Sequence, residues 1–217
     1  SDHGRRLLPS VSTAISTLAS AAAAFETGAS KKVLTVAASL SISRWYILPH
    51  LKSFTEQHRD IAIRLTSKTW PDEFSGLEAD VEIRFDSSQS AGKNARLIEP
   101  NTLQIVASPS LVKKKQSSAY APEKIAQLPL IQVIGTADTW QEWARHNGIT
   151  RPLDYVAFVE SHGIAIDMAR TGVGVAYTNG IIAAPSVREK SLHILERIKA
   201  VPKEGYYLTK NSNDEDS

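Results

Sequence analysis

The chain has 217 residues, of which 42% are hydrophobic, so it can bury a substantial core in one domain or in two small lobes. Its 25 basic and 23 acidic side chains leave a formal charge of +2, too small a surplus to predict general binding to nucleic acid or to an anionic membrane. The lack of cysteine excludes disulfides, zinc–thiolate sites and thiol nucleophiles, and it fits a reducing, cytoplasmic compartment. No apolar run approaches the roughly 20 residues needed to cross a bilayer.

The first predicted element is a long helix over residues 5 to 27, within "GRRLLPSVSTAISTLASAAAAFETG". Its larger apolar residues recur at intervals of three and four, the heptad pattern of helices that pair. These seam residues are Leu8, Val11, Ile15, Leu18, Ala22 and Phe25. Serines and threonines interrupt the run, whereas a secretory signal peptide has a continuous apolar region. We therefore predict that residues 1–28 form a dimerisation helix whose partner is a second copy; the alternative is a helix folded back on its own domain.

Strand and helix patterns then alternate along the chain. "VLTVAAS" is an apolar run typical of a strand covered on both faces, "RWYILPHLKSFTEQH" has helical spacing, and "IAIRLTSK" is again a strand. This βαβ unit predicts a parallel pair of strands. Further strands are predicted at "DVEIRF", "TLQIVASP", "PLIQVIG", "YVAFVES", "GVAYTN", "HILERI" and "GYYLTK", and further helices at "APEKIAQL", "TWQEWARHNG" and "SHGIAIDMARTG". The predicted class is α/β with two linked lobes, followed by a disordered acidic tail over residues 213–217.

Polar residues follow several predicted strands, at the edge where open α/β sheets bind ligands. The predicted binding residues are Ser39, Ser41, Thr66, Ser67 and Arg84 in the first half, and Gly135, Thr136, Ser161, His162 and Thr178 in the second. Serines at helix N-termini, with the helix dipole, favour an anion, so we predict a carboxylate-bearing ligand. The alternatives are that each serine only caps its helix and that Arg84 is a solvated or ion-paired residue. Trp140 and Trp143 are predicted to be packing residues rather than a stacking platform.

Catalytic and cofactor signatures are missing from the sequence. It contains no G-x-S-x-G elbow, no H-E-x-x-H helix and no P-loop, and "GVGVAY" follows a helix instead of opening one. The histidines have no paired spacing that would suit a metal ion. We therefore predict no enzyme activity, no cofactor and no metal site.

Several stretches carry a resemblance to a known family. "LTVAASLSISRWYILPHLKSFTEQHRDIAIRLTS", "ADVEIRF", "LQIVASPSLV" and "ESHGIAIDMARTGVGVAYTN" together resemble the effector-binding domain of LysR-type transcriptional regulators. The upstream "GRRLLPSVSTAISTLASA" is similar to the linker helix of that family, which pairs in the dimer. The Arg-Trp pair and the residues around "ADVEIR" point toward the branch that contains the glycine-cleavage activator and the β-lactamase regulators.

The resemblance implies a two-lobed, periplasmic-binding-protein-like (type 2) fold with a small effector in the cleft between the lobes. Residues 31–106 and 203–212 would form lobe I, residues 107–202 would form lobe II, and "TLQIVASP" and "GYYLTK" would cross between them. It also implies a bacterial homodimer or homotetramer that binds promoter DNA through an N-terminal helix-turn-helix domain absent from these residues. An exported solute-binding protein of a transporter would share the lobes, but the heptad seam argues against it.

Overall fold

The computed structural model describes residues 7, 11, 14, 15, 18, 32–67, 79–92, 94–100, 102–112, 120–136, 139–198 and 204–210. Its strands are β1 (Lys32–Ala38), β2 (Ile61–Ser67), β3 (Val81–Ser87), β4 (Arg96–Pro100), β5 (Leu103–Ala107), β6 (Leu130–Val133), β7 (Tyr155–Val159), β8 (Val175–Asn179), β9 (His193–Ile198) and β10 (Glu204–Lys210). Its helices are α1 (Leu40–Ile42), which continues through a π-helical turn (Ser43–Ile47) into α2 (Leu48–Gln57), then α3 (Pro122–Ile125), α4 (Trp140–His146), α5 (His162–Arg170) and α6 (Gly180–Arg188).

The strands form two five-stranded sheets. Sheet A has the order β2-β1-β3-β10-β4, and sheet B has the order β7-β6-β8-β5-β9. In sheet A, β1 is parallel to β2 and β3, while β10 is antiparallel to β3 and β4. In sheet B, β6 is parallel to β7 and β8, while β5 is antiparallel to β8 and β9. The predicted α/β class and the predicted parallel β1–β2 pair are therefore confirmed.

Serine side chains cap two of the helices that follow strands. Ser39 follows β1 and accepts a hydrogen bond from the Ile42 backbone N–H at 3.3 Å. Ser161 follows β7 and accepts one from the Gly163 backbone N–H at 3.1 Å. Such caps satisfy N–H groups that have no partner inside the helix, and so they fix where each helix starts. As a result, α1 and α5 both begin at the carboxyl ends of parallel strands.

One apolar core runs through both sheets. A buried cluster contains residues from both sides. Those on the sheet A side include Ala38, Ile42, Trp45 and Ile83, and those on sheet B and its helices include Val106, Ile131, Ile166, Ala169 and Ile182. A second cluster contains Ile105, Leu130, Trp140 and Trp143. Trp140 and Trp143 are therefore core residues, in agreement with their predicted packing role.

Two elements were not predicted from the sequence. Strand β4 is a short edge strand that ends in Pro100, a residue that sheets accept at their edges. Helix α6 contains Pro185 and is buried over most of its length, so it lacks the polar face that marks an amphipathic helix.

The strands also show where the chain passes between the sheets. The predicted lobe boundary between residues 106 and 107 lies inside β5, which pairs only with strands of sheet B. The first passage therefore lies between Pro100 and Leu103, and the return passage lies between Ile198 and Glu204.

The described positions near the N-terminus are helical and exposed. They are Leu7, Val11, Ala14, Ile15 and Leu18. Val11, Ile15 and Leu18 belong to the predicted seam, and the side chains of Ile15 and Leu18 are 60% and 70% exposed. The seam residues Leu8, Ala22 and Phe25, and the predicted acidic tail over residues 213–217, lie outside the described part of the chain. No helix in the described ranges is long and apolar enough to span a membrane.

Candidate functional site

The two lobes meet where α1 and α5 begin. Ser41 Oγ lies 2.8 Å from Ser161 Oγ, although the two residues are 120 positions apart in the chain. Ser41 Oγ also accepts a hydrogen bond from the Gly163 backbone N–H at 2.9 Å. The predicted residues Ser41 and Ser161 are thus in direct contact across the lobes.

The contact between α1 and α5 depends on the small size of Gly163. A Cβ at this position would lie 3.0 Å from Ser41 Oγ and 3.5 Å from Ser41 Cα. The first distance is shorter than an ordinary van der Waals contact, so a larger residue would require Ser41 or the start of α5 to shift by a few tenths of an ångström. Gly163 was not among the predicted site residues because a glycine inside a helical pattern does not reveal what approaches it.

A charged and aromatic cluster joins the lobes beside this contact. Arg44, in the π-helical turn, forms an ion pair with Asp167 of α5 at 3.2 Å. Trp45 is buried, and the guanidinium groups of Arg44 and Arg170 lie 5.5 and 5.2 Å from its ring centre. Arg170 also reaches Glu189, beyond α6, at 3.8 Å. Cations over an aromatic face are attracted by its quadrupole, so this cluster stabilises the observed arrangement of the lobes.

Three more predicted residues of lobe I lie at the ends of β1 and β2. Ser67 is exposed at the end of β2 and faces Ala38 in the parallel register. Thr66 donates its hydroxyl hydrogen to the Val36 carbonyl oxygen at 3.4 Å. Ser39 is engaged as the cap of α1.

Arg84 lies on β3, and acidic neighbours surround its guanidinium group. Glu82, Arg84 and Asp86 share one face of the strand because side chains alternate along it. Arg84 forms ion pairs with Asp86 at 3.1 Å and with Glu82 at 3.9 Å, and it donates a hydrogen bond to the Ser90 carbonyl oxygen at 3.5 Å. Its charge is therefore already compensated by the protein.

In lobe II, three predicted residues besides Ser161 follow β6 and β7. Gly135 has φ +77°, a left-handed conformation that favours glycine, and the Thr136 hydroxyl donates to the Val133 carbonyl oxygen at 3.4 Å. His162 is the first residue of α5, and its buried Nδ1 has no hydrogen-bond partner in the described structure. Desolvation by burial lowers the pKa of His162 to about 4, so its imidazole is neutral at pH 7.

Thr178 lies at the carboxyl end of β8, opposite a polar residue that the sequence analysis missed. In the antiparallel register of β5 and β8, Thr178 faces Gln104. Thr178 has no exposed surface and Gln104 is 8% exposed. The only signal for Gln104 was a polar residue inside the apolar run "TLQIVASP", and periodicity could not show that it lies beside Thr178.

These groups are neutral and polar, which suits them to recognising a ligand. Ser41 and Ser161 hydrogen-bond to each other rather than to a general base, and His162 has no hydrogen-bond partner at Nδ1 that would orient it. The strand ends and helix starts of two α/β lobes meet here around neutral polar side chains. This arrangement is that of a two-lobed ligand-binding domain.

Comparison with protein families gives the same class. The family described as "LysR substrate binding domain" matches residues 27–217, and the chain therefore belongs to this family. It is the effector-binding domain of a LysR-type regulator, with the periplasmic-binding-protein-like type 2 fold. The family consists of transcriptional regulators rather than enzymes.

Curated relatives and solved structures agree with this assignment. The chain is 25% identical over 192 residues to the HTH-type transcriptional activator AmpR of Pseudomonas aeruginosa, covering 88% of this chain and 63% of that protein. It is 24% identical over 208 residues to the carbapenem-hydrolyzing beta-lactamase transcriptional activator of Enterobacter cloacae, covering 96% of this chain and 68% of that protein. The chain thus spans about two thirds of the length of these relatives.

Two solved structures share the fold. The effector domain of AmpR from Pseudomonas aeruginosa has a TM-score of 0.63 and 23% identity, with 86% of this chain and 89% of that chain covered. CrgA, a LysR-type transcriptional regulator from Neisseria meningitidis, has a TM-score of 0.64 and 16% identity, with 98% of this chain and 73% of that chain covered.

Proposed function

We propose that this chain is the ligand-sensing and oligomerising part of a bacterial LysR-type transcriptional regulator, and that it binds a small effector in the cleft between its lobes. The observation that carries this proposal is the contact between Ser41 and Ser161 at 2.8 Å, where two helix starts from different lobes meet among polar side chains. A ligand that contacts both lobes there can favour one relative arrangement of the lobes over another. It can shift this equilibrium only by the difference between its affinities for the two arrangements.

The change in lobe arrangement would reach DNA through the helix that precedes β1. Leu7, Val11, Ala14, Ile15 and Leu18 are helical, and their exposure supports pairing with a second copy of the helix. In the full-length regulator, we propose that a helix-turn-helix domain on the N-terminal side of this helix binds promoter DNA, as the transcriptional activators similar to this chain support. A regulator of this kind acts in the bacterial cytoplasm, as a homodimer or homotetramer.

The division into lobes follows the strands. We propose that β1–β4 and β10 belong to lobe I and that β5–β9 belong to lobe II. The predicted carboxylate on the effector has less support than the cleft itself. Of the predicted binding residues, Arg84 is paired with two acids and His162 is neutral at pH 7.

Native mass spectrometry of the purified chain tests this function. We expect a dimer or tetramer that carries a small molecule retained from expression. The double variant Ser41→Ala with Thr66→Ala should lower the retained fraction, whereas Thr55→Ala, whose hydroxyl donates to the Lys52 carbonyl oxygen on the surface of α2, should not. A chain that stays monomeric, or a retained molecule that both variants keep equally, would contradict the proposal and favour a transporter's solute-binding protein or another site.

A further inference from the structure

Two buried polar atoms at the cleft edge of sheet B have no hydrogen-bond partner in the described structure. They are Gln104 Oε1, on β5, and Thr178 Oγ1, on β8. The two residues face each other in the strand register, and both are more than nine-tenths buried. In folded proteins, most buried polar atoms are paired, so two neighbouring unpaired atoms require an explanation.

Both residues lie near the ends of their strands, on the edge of sheet B where the cleft is proposed. Thr178 is next to last in β8, a strand that is parallel to β6. Gln104 is second in β5, just after the passage of the chain between the sheets. The carboxyl ends of parallel strands form the ligand-binding edge of such a sheet, so this pair continues the edge that carries Ser161.

The start of α6 lies close to the Gln104 side chain. The Gly180 backbone N–H donates to the Thr102 carbonyl oxygen at 2.6 Å. A Cβ on Gly180 would overlap Thr102 Oγ1 and would lie 2.9 Å from Gln104 Nε2. The backbone therefore packs closely against the amide nitrogen, while Oε1 remains an acceptor without a donor.

The charges around the cleft indicate what kind of ligand this pair can serve. Arg84 is compensated by Glu82 and Asp86, and burial keeps His162 neutral at pH 7. The Gly163 N–H at the start of α5 is already bonded to Ser41 and Ser161. An anionic group would thus meet no uncompensated cation among these residues, and burying an unpaired charge is costly.

We propose that Gln104 and Thr178 form a polar subsite of the effector cleft, which receives an N–H or O–H donor of an uncharged effector group such as an amide or a hydroxyl. This inference rests on the proposed effector-binding function and specifies the chemistry of the ligand. Binding supplies the donor that Gln104 Oε1 lacks, and the Thr178 hydroxyl bonds to the same group. The subsite therefore selects against a carboxylate, which offers only acceptors.

The first test measures thermal stability without ligand. Thr178→Val keeps the shape of the side chain and removes a buried hydroxyl that has no partner, so we expect an unchanged or higher Tm. Ser186→Ala is the matched control, because Ser186 Oγ is also fully buried and unpartnered but lies on α6. A Tm well below that of the wild type for Thr178→Val would show that the hydroxyl is already paired in the protein and would overturn the subsite.

The second test uses a matched pair of probes, N-acetylglycinamide and N-acetylglycinate, followed by NMR of the backbone and glutamine side-chain amides. We expect the amide to shift the Gln104 and Gly163 signals and to bind more tightly than the carboxylate. Its affinity should fall about tenfold in Thr178→Val and in Gln104→Leu, the loss expected for one hydrogen bond of about 1.4 kcal/mol, and should not change in Ser186→Ala.

The outcomes separate this inference from the proposed function. Tighter binding of the carboxylate, with shifts at Gly163, would overturn the uncharged ligand and leave the cleft in place. Amide binding that is unchanged in both Gln104→Leu and Thr178→Val would overturn the subsite alone. If neither probe shifts Gly163 or Gln104, both the subsite and the proposed cleft are contradicted.

Discussion

Ser41 and Ser161 share a hydrogen bond of 2.8 Å across the two lobes, and the Gly163 N–H donates to both of their hydroxyl oxygens. The helix starts of α1 and α5 are therefore linked through a single small network. A ligand that enters between them must replace these bonds with its own. The hydrogen bonds of this network thus hold the lobes in contact, and they must break before a ligand can bind between them.

Ser41→Ala should remove the bond between the lobes while leaving the Ser161 cap of α5 intact. We expect a loss of about 1 kcal/mol in the free energy of unfolding, since one part-buried hydrogen bond is lost and Gly163 keeps a partner. Urea unfolding measures this difference. Ser53→Ala, on the exposed face of α2, serves as the control and should stay within about 0.5 kcal/mol of the wild type. Equal losses in the two variants would argue against a special role for Ser41.

Trp45 packs between the lobes, so Trp45→Ala should be among the most destabilising substitutions in the chain. We expect a loss of about 3–5 kcal/mol, the usual cost of removing a buried aromatic side chain. Trp45→Phe keeps an aromatic ring under Arg44 and Arg170, and Trp45 Nε1 has no partner within the described structure. The loss in the free energy of unfolding for Trp45→Phe should therefore be less than half that for Trp45→Ala in the same urea experiment. Similar losses for both variants would contradict a packing role.

The ion pair of Arg44 and Asp167 should contribute little, because the two side chains are 57% and 36% exposed. A double-mutant cycle with Arg44→Gln and Asp167→Asn should give a coupling of at most about 1 kcal/mol at low salt. High salt should weaken this coupling, since exposed charges are screened. A coupling that does not change with salt would mean that the pair is shielded from solvent in solution.

Burial of His162 should make stability depend on pH between 4 and 6.5. Its pKa is about 4 in the folded chain and 6.5 in the unfolded chain, so the unfolded state binds more protons in this window. Stability should therefore fall as the pH drops from 6.5 to 4, by up to about 3 kcal/mol from this residue alone. Well above pH 6.5 both states are neutral at this residue, and the contribution is constant.

His162→Asn removes this titration and should flatten the loss of stability between pH 6.5 and 4. Thr55→Ala is the control, because it replaces an exposed hydroxyl on α2 and no titratable group, so the slope should stay unchanged. Chemical unfolding at several pH values gives the slope for each variant. Parallel curves for wild type and His162→Asn would show that His162 is not buried in its neutral form.

The strand and helix pattern was sufficient to predict the α/β fold and most strands. Buried parallel strands such as β1 have a continuous apolar run, and Ser39 and Ser161 follow strands in the way that helix caps do. From the sequence, Ser41 and Ser161 could be recognised only as polar residues that follow two different strands. Their direct bond depends on how the lobes close, which the order of residues along one strand does not determine.

Other features of the site depend on pairings between distant residues. Gln104 lies beside Thr178 because β5 and β8 are antiparallel, and Arg84 is compensated because Glu82 and Asp86 share its face. The pairing of Gln104 with Thr178 can be predicted only from the strand order of sheet B, which the periodicity of the sequence does not provide. The compensation of Arg84 by Glu82 and Asp86 could have been inferred from the alternation of side chains in "VEIRFDS". It shows why a lone arginine at a strand end is weak evidence for an anionic ligand.

The exposed apolar positions described near the N-terminus lead to a prediction about assembly. Val11, Ile15 and Leu18 are apolar, helical and exposed, at the spacing that paired helices use. Ile15→Asp with Leu18→Asp would place charges in a paired seam, so the oligomer should dissociate by at least one step in light scattering. Thr55→Ala, on α2, should keep the wild-type mass. Because neither Ile15 nor Leu18 belongs to the predicted cleft, the amide probe should still shift Gly163 in the dissociated variant. Loss of the shift together with the oligomer would instead mean that the cleft requires the paired helix.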